Sequence, residues 1–424
     1  MNFNDNARYF LNDVYLFIIG IFCIAVAFIS NTLFLDSVSL IFILFAIVVF
    51  TYLIIKFILI SKIYSTNITV AFYILVSYYR LNQQFKNADL LEMRHNKRYV
   101  RCVPKIFFKV NSNGTIYLYV QNSIRNNKSL SKLDIMPGLF KLVILRKYLS
   151  EDHRYYIFEL YIGQLKQSVF SSIHEFVAYI KKISSDYEIS LDSNNKIKFG
   201  HLLISGKTGS GKTYALLSIL MQLMIKHSNV SIVDYKNSDL SIAASLSKIQ
   251  FANNSTDSIV LMQQFLDDMN KRKQEIQELS YGKIGLDFES LNLKSHYLII
   301  DEYSALIYAL SKEQKIECMN VLNQIILQGR QLGFFVILSM QQANASLIPT
   351  NLRDQFQFRC VMGNSEKMTY QVVFSDYNEE DFYMQKKTGQ ALYTMDNILG
   401  NRLCFFPFFE FDLGEQISLL SKLQ

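Results

Sequence analysis

The stretch His201-Leu-Leu-Ile-Ser-Gly-Lys-Thr-Gly-Ser-Gly-Lys-Thr213 decides the fold of this chain. Its apolar start, followed by Gly206, Gly211, Lys212 and Thr213, fits the full G-x-x-x-x-G-K-[ST] phosphate-binding loop. Each residue type answers to the chemistry. Glycines let backbone N–H groups close around phosphate oxygens, Lys212 supplies a point charge, and the Thr213 hydroxyl can ligate Mg²⁺. Gly206, Lys207, Thr208, Gly209, Ser210, Gly211, Lys212 and Thr213 are therefore the candidate binding set for ATP with Mg²⁺. Leu202 to Ser205 predict a short buried strand. Thr213 to Lys226, apolar at Ala215, Leu216, Ile219, Leu220, Leu223 and Met224, predict the helix whose N-terminus faces the phosphates. A chance Gly-rich turn is the bland reading, and four filled positions between a strand and a helix argue against it.

Outward from the loop, the next informative element is Tyr297-Leu-Ile-Ile-Asp-Glu302, an apolar strand ending in two carboxylates. Adjacent acids there divide the work of nucleotide hydrolysis. Asp301 belongs in the metal shell, and Glu302 beside the water that attacks the γ-phosphate. Val230–Asp234 and Ile249–Ala252 read as further strands, Ser258–Leu279 as a long helix, and Phe334–Ser339 as another buried strand. Gln341, at the end of that strand, is the candidate sensor of the γ-phosphate, because ligands gather at the carboxyl ends of parallel strands. Arg330, in Gly329-Arg-Gln-Leu-Gly333, is the candidate finger reaching a neighbouring subunit's nucleotide, with Arg353 and Arg359 as rivals.

The amino-terminal part is of another kind. Hydrophobic residues make up 50% of the chain, unevenly spread: Val14–Leu35 and Val38–Ile60 are nearly free of charge. Each is long enough to span roughly 30 Å of hydrocarbon as a helix. Asn31, Thr32, Asp36 and Ser37 punctuate the turn between them. Lys56, Lys62, Arg80 and Lys86 follow the second span, so positive charge puts both termini and the rest of the chain on the cytoplasmic side. A cleaved signal peptide competes with this reading, but the first apolar stretch has no basic cluster before it and a second stretch directly after it. Ile68–Tyr79 is too short to span. It is an interfacial helix or the start of the soluble part, and the former is preferred.

A basic stretch follows, with Arg94, His95, Lys97, Arg98, Arg101, Lys105 and Lys109. A solvated face, contact with anionic lipid headgroups and a guide for DNA phosphates all account for it. Lys105–Val110 and Thr115–Val120 alternate in strand fashion around Asn111-Ser-Asn-Gly114, a hairpin signal, and Phe140–Leu145 and Tyr155–Ile162 complete a small α+β module without grouped acids, bases or nucleophiles. The polar, turn-rich Ser185–Asn195 reads as the approach to the motor domain. Five cysteines lack C-x-x-C spacing, which argues against zinc or a disulfide framework. The net charge of +7 is compatible with a polyanionic partner and proves none.

These motifs together resemble the FtsK/SpoIIIE family of DNA translocases. The resemblance runs over residues 155–410 and rests on the loop, on Ile299-Ile-Asp-Glu302 and on Gln328-Gly-Arg-Gln-Leu-Gly-Phe-Phe-Val-Ile-Leu-Ser-Met-Gln341. Val233-Asp-Tyr-Lys236 resembles the family's second-strand motif and Gly389-Gln-Ala-Leu-Tyr393 its closing strand. Met340-Gln341-Gln342 departs from the Thr-Gln-Arg run of many members, so a role resting on that arginine does not carry over. The resemblance implies an α/β, RecA-like P-loop ATPase of the additional-strand type, assembled as a homo-hexameric ring that moves double-stranded DNA. A two-helix membrane hairpin (1–62), a juxtamembrane segment with a small α+β module (63–184) and a motor (185–424) that ends without a DNA-reading winged-helix domain are similar to the TcpA group of conjugative coupling proteins. Such a protein works with a relaxase and secretion-channel proteins at the cell membrane. Chromosome or plasmid partitioning, and protein secretion by a motor of the same family, are the alternative expectations.

Overall fold

The computed structural model describes residues 5–32, 36–87, 91–93, 99–101, 104–111, 115–122, 135, 138–162, 167–193, 195–280, 283–374, 387–396 and 401–422. The chain divides into two compact units, Met1–Gln164 and Leu165–Gln424.

The first unit opens with helices Asp5–Thr32 and Asp36–Ser61. Their apolar segments, Tyr15–Thr32 and Ser37–Ser61, have mean hydropathies of 2.1 and 3.0 and the length to cross a membrane. The two helices pack through small residues. Cys23, Ala27 and Ala46 are buried between them, and the Phe50 ring lies against Gly20, where an added Cβ would come within 2.9 Å of it. Large apolar side chains face outward instead, Phe28 at 71% exposure and Val48 at 65%, which a helix in water would bury. The two helices are thereby candidate membrane spans.

Helix Ile68–Asn87 follows. It is not interfacial. Val70, Ile74, Leu81 and Phe85 are buried in one cluster with Ile106, Phe108, Leu118 and Leu160 of the small sheet, so this helix begins the folded module. A short pair, β1 (Leu91–Met93) and β2 (Tyr99–Arg101), precedes that sheet. β3 (Ile106–Val110), β4 (Ile116–Gln121), β5 (Leu142–Leu149) and β6 (Tyr155–Ile162) then form an antiparallel sheet in the order β3-β4-β6-β5. Arg94, His95, Lys97 and Arg98 of the basic stretch lie outside the described residues, as do positions 112–114 of the hairpin turn and most of the polar loop after Gln121.

The second unit holds β7 (Val169–Phe170), the hairpin of β8 (Glu188–Ser190) and β9 (Lys196–Lys198), and then β10 (Leu202–Gly206), β11 (Asn229–Asp234), β12 (Gln250–Ala252), β13 (His296–Asp301), β14 (Phe334–Met340), β15 (Phe358–Met362), β16 (Gln390–Met395), β17 (Arg402–Phe405) and β18 (Phe408–Phe409). Eight of these make one sheet in the order β12-β11-β13-β14-β10-β15-β16-β17. Its run from β12 to β15 is parallel, and β16 and β17 continue it antiparallel. β14 sits between β10 and β13, which is the additional-strand arrangement.

Both sheet faces are covered, so the central strands are continuous apolar runs. Strand alternation splits them between two cores. Leu202, Ile204, Ile232, Ile299 and Ile337 face the helix Lys212–Ile225, whereas Leu203, Val233, Ile300, Val336 and Leu338 pack against helices Ser255–Ser280 and Lys312–Leu332. The described residues of the polar stretch, 185–193 and 195, lie within this unit. Buried Asp192 accepts from the Asn195 and Phe405 backbone N–H groups, tying the β8–β9 hairpin to β17.

Two positions carry consequences for stability. A Cβ on Gly329 would lie 2.1 Å from the Phe334 carbonyl oxygen, a backbone atom of the next strand. Gly329→Ala should therefore cost about 1–3 kcal/mol or more, read from chemical unfolding of the full chain in detergent. His201, fully buried, accepts the Val336 N–H at Nδ1, and burial pushes its pKa down to about 3. The unfolded chain takes up this proton first, near pH 6.5. The neutral-histidine contribution is complete above that pH and is lost as pH falls toward the folded value. His201→Asn, which keeps an acceptor for Val336, should make the fall of the thermal midpoint below about pH 6.5 shallower than in the unaltered protein.

Candidate nucleotide site

β10 delivers the loop. Gly206 ends the strand, Lys207 to Gly211 turn, and the helix begins at Lys212. Gly209 and Gly211 hold φ of +79° and +93°, a backbone region open to glycine. The loop is braced from the far side of the sheet. The Gly389 N–H donates to the Ser210 carbonyl at 2.8 Å, and a Cβ on Gly211 would meet that Gly389 nitrogen at 2.8 Å.

The cradle fits a phosphate. The N-cap, Gly211, gives the helix no side-chain cap, so the N–H groups of its first turn remain directed at the loop. The Ser210 hydroxyl is buried without a partner, a Cβ on Gly209 would meet open space, and Thr213 stands half-buried in that first turn. Thr208 is exposed, and Lys207 points away to Glu366 at 3.1 Å.

Parallel pairing of β13 with β11 and β14 brings the acid pair to the same end of the sheet. Lys212 Nζ lies 3.2 Å from Glu302 Oε2 and 3.8 Å from Asp301 Oδ1. Both carboxylates are buried, each 6% exposed. Asp301 Oδ1 accepts from the Ser339 hydroxyl at 2.7 Å and from the Glu302 N–H at 2.9 Å. Glu302 Oε1 accepts from the Ser304 hydroxyl at 3.1 Å and from the Gln341 N–H at 3.3 Å, while Lys236 Nζ reaches Oε2 at 3.2 Å. Burial pushes the Glu302 carboxyl up, but the charges and hydrogen bonds of Lys212 and Lys236 outweigh it and hold it below the usual range. Glu302 also adopts φ +50°, a left-handed backbone costly for a residue with a Cβ, at the head of helix Tyr303–Ala309.

Lys212, Thr213, Asp301, Glu302 and Gln341 therefore gather at one end of the sheet, Gln341 through its backbone N–H beside Glu302. Arg330 does not join them. It ends the helix Lys312–Leu332, pairs with Asp396 at 3.8 Å, and lines a cleft of about 1040 Å³ at the amino ends of β10 and β14. Arg353 donates to the Val372 carbonyl, and Arg359 pairs with Asp354, both mostly buried. Sequence reasoning missed Ser339 and Lys236. A lone hydroxyl inside an apolar strand was the readable sign of the first. The second lay inside Val233–Lys236, whose resemblance to a family motif assigns Lys236 no role.

A glycine loop after β10, a carboxylate pair after β13 and one strand between them define a P-loop ATPase of the additional-strand class. Residues 171–290 match the model of the FtsK/SpoIIIE family. The acid pair lies beyond that match and rests on the geometry alone. An FtsK domain-containing protein of Bacillus subtilis (strain 168), YdcQ, is 26% identical over 307 residues, spanning 70% of this chain and 60% of the relative. The solved pCW3 conjugation coupling protein TcpA, in its monomer form with ATPγS, is similar in fold at 16% identity and a TM-score of 0.54, over 82% of this chain and 99% of that one. The second unit is thus similar to the FtsK/SpoIIIE family over residues 171–290.

The Ser339 bond supplies a test. Removing a hydrogen bond to a charged group costs about 1.5–3 kcal/mol. Ser339→Ala should weaken ATPγS binding in titrations with Mg²⁺ and leave it unchanged in EDTA. Equal loss in both would show that Ser339 does not position a metal-holding carboxylate.

Proposed function

We propose that this chain is a membrane-anchored, ATP-driven double-stranded DNA translocase that couples DNA to a conjugative transfer channel. The observation that carries the motor reading is the meeting of Lys212 with buried Asp301 and Glu302 beneath an uncapped glycine loop, in a unit that matches the FtsK/SpoIIIE family model over residues 171–290. The loop N–H groups and Lys212 bind the triphosphate. Phosphate oxygens compete with Glu302 for Lys212, which leaves the carboxylate free to accept a proton from the attacking water. Gln341, beside it, reports the γ-phosphate to β14. Thr213 and Asp301 would hold Mg²⁺, which neutralises charge on the phosphates.

The exposed apolar hairpin supports an anchor in the cell membrane, with both termini and the motor cytoplasmic by the placement of Lys56, Lys62 and Arg80. The likeness to TcpA in fold, together with the pairing of that anchor with this motor, favours the conjugative role over partitioning and protein secretion. A homo-hexamer around DNA, with Arg330 directed at the next subunit and a relaxase and channel proteins as partners, completes the reading.

ATP hydrolysis by the full chain in detergent should rise with linear duplex DNA, and the stimulation should fade as salt rises, since the contacts are with phosphates. Lys212→Ala should abolish nucleotide binding. Glu302→Gln should bind ATP normally and hydrolyse it about 100-fold more slowly or worse. An assembled, ATP-binding hexamer that ignores DNA would move the reading to protein secretion.

A further inference from the structure

Directly after the phosphate loop the second unit leaves two aromatic rings open to water. Tyr214 and Phe408 stack at 5.6 Å between centroids and 19° between planes, and each is 40% exposed. Neither belongs to a core cluster. Phe409, the next residue on β18, is buried against Phe170 and Phe176, and strand alternation turns Phe408 to the opposite face. Two backbone bonds hold this strand in place: the Phe408 N–H donates to the Ser168 carbonyl at 2.9 Å and the Glu410 N–H to the Phe170 carbonyl at 3.0 Å. Two more tie it to the loop. The Gly389 N–H donates to the Ser210 carbonyl at 2.8 Å, and the N–H of Phe406, two residues before Phe408, donates to the Gly389 carbonyl at 2.9 Å.

The place of this pair matches the nucleoside end of a bound nucleotide. Helical side chains lean toward the helix N-terminus, so Tyr214, one residue after Thr213, covers the end of the helix that receives the phosphates. Sheet order sets the direction of the ligand. Asp301 and Glu302 lie on the β13 side of β10, where the γ-phosphate belongs, whereas β15, β16 and β17 lie on the other side and Phe408 follows β17. A triphosphate with its terminal group at the acids carries its ribose and base toward Tyr214 and Phe408. Stacked rings suit that occupant, because a nucleobase presents a flat π-face to an aromatic side chain.

We propose that Tyr214 and Phe408 form the platform on which the adenine base of the nucleotide stacks. This rests on the reading of the glycine loop as the triphosphate site. Lys212 and the loop N–H groups hold the phosphates, and the ring pair holds the base, so the two contributions to affinity separate. A ligand with phosphates and no base engages the loop alone.

The test compares ATPγS with inorganic tripolyphosphate, both with Mg²⁺, in calorimetric titrations of the full chain in detergent. Tyr214→Ala and Phe408→Ala should weaken ATPγS about 5- to 150-fold, the loss expected for a base–aromatic stack, and hold tripolyphosphate within about twofold. Phe408→Leu, which keeps an apolar side chain without a ring, should lose nearly as much as Phe408→Ala. Tyr214→Phe should bind as the unaltered protein does. The chain has no tryptophan, so Phe408→Trp places a lone indole in the platform. ATPγS should quench its fluorescence saturably, and tripolyphosphate should not. Unchanged ATPγS affinity in both alanine variants overturns the proposal. So does an equal loss of both ligands, which would place the effect of the rings on the loop. Lys212→Ala, measured alongside, separates the two levels: if it binds ATPγS as tightly as the unaltered protein, the reading of the loop has failed and the proposal with it.

Discussion

Two carboxylates buried side by side at the end of β13 need opposite charge, and the motor unit is arranged around that need. An isolated charge taken out of water costs several kcal/mol, so a buried acid pair is tolerable only where cations and donors converge. The convergence is a product of sheet order. With β14 between β10 and β13, Lys212 crosses one strand to reach the acids, Ser339 on β14 lies under Asp301, and β11 on the other side brings Lys236. These residues lie on or directly after four different strands, the two acids together at the end of β13. The site therefore depends on the register of four strands, and its polar atoms are the partners that make burial of the acid pair tolerable.

The same dependence explains a local cost. Glu302 stands at φ +50°, where a strand must stop and a helix must start within one residue. Ending β13 in that conformation turns the Glu302 side chain to the Ser304 hydroxyl and the Gln341 N–H while Asp301 stays in the sheet. The strain is of order 1 kcal/mol, and the hydrogen bonds and ion pairs on Glu302 offset it. A less supported acid at this position would relax and leave Lys212 with Asp301 alone.

What was legible in the chain was whatever a residue's near neighbours determine. The loop, its helix, the apolar strands and the acid pair announce themselves because Gly spacing, period-two alternation and the strand-ending Asp-Glu are local signals. Ile68–Asn87 was not legible in this way. An amphipathic stretch shows that one face seeks apolar company without saying whether lipid or Leu118 provides it, and here the β-sheet does. Residues 185–195 read from their polar composition as the approach to the motor domain, and that composition does not show that Asp192 finds partners at Asn195 and, far along the chain, at Phe405. Ser339 and Lys236 belong to the same class of hidden residue, since their meaning lies in side chains brought across strands.

The contrast between two kinds of apolar helix carries the argument to the membrane. Lys212–Ile225 is apolar nearly all round, and Ala215 through Met224 are buried, enclosed by sheet and neighbouring helices. Asp36–Ser61 is more apolar still, yet it buries its small residues against the adjacent helix and leaves Ile41, Val48 and Ile54 outside. Composition alone does not separate these helices. Which residues each hides does: a core helix hides its large side chains, whereas a helix whose solvent is hydrocarbon gains nothing by hiding them and packs where backbones can approach. The first two helices follow the second rule, and the small module and the second unit the first, so one chain carries two solvents' worth of packing logic.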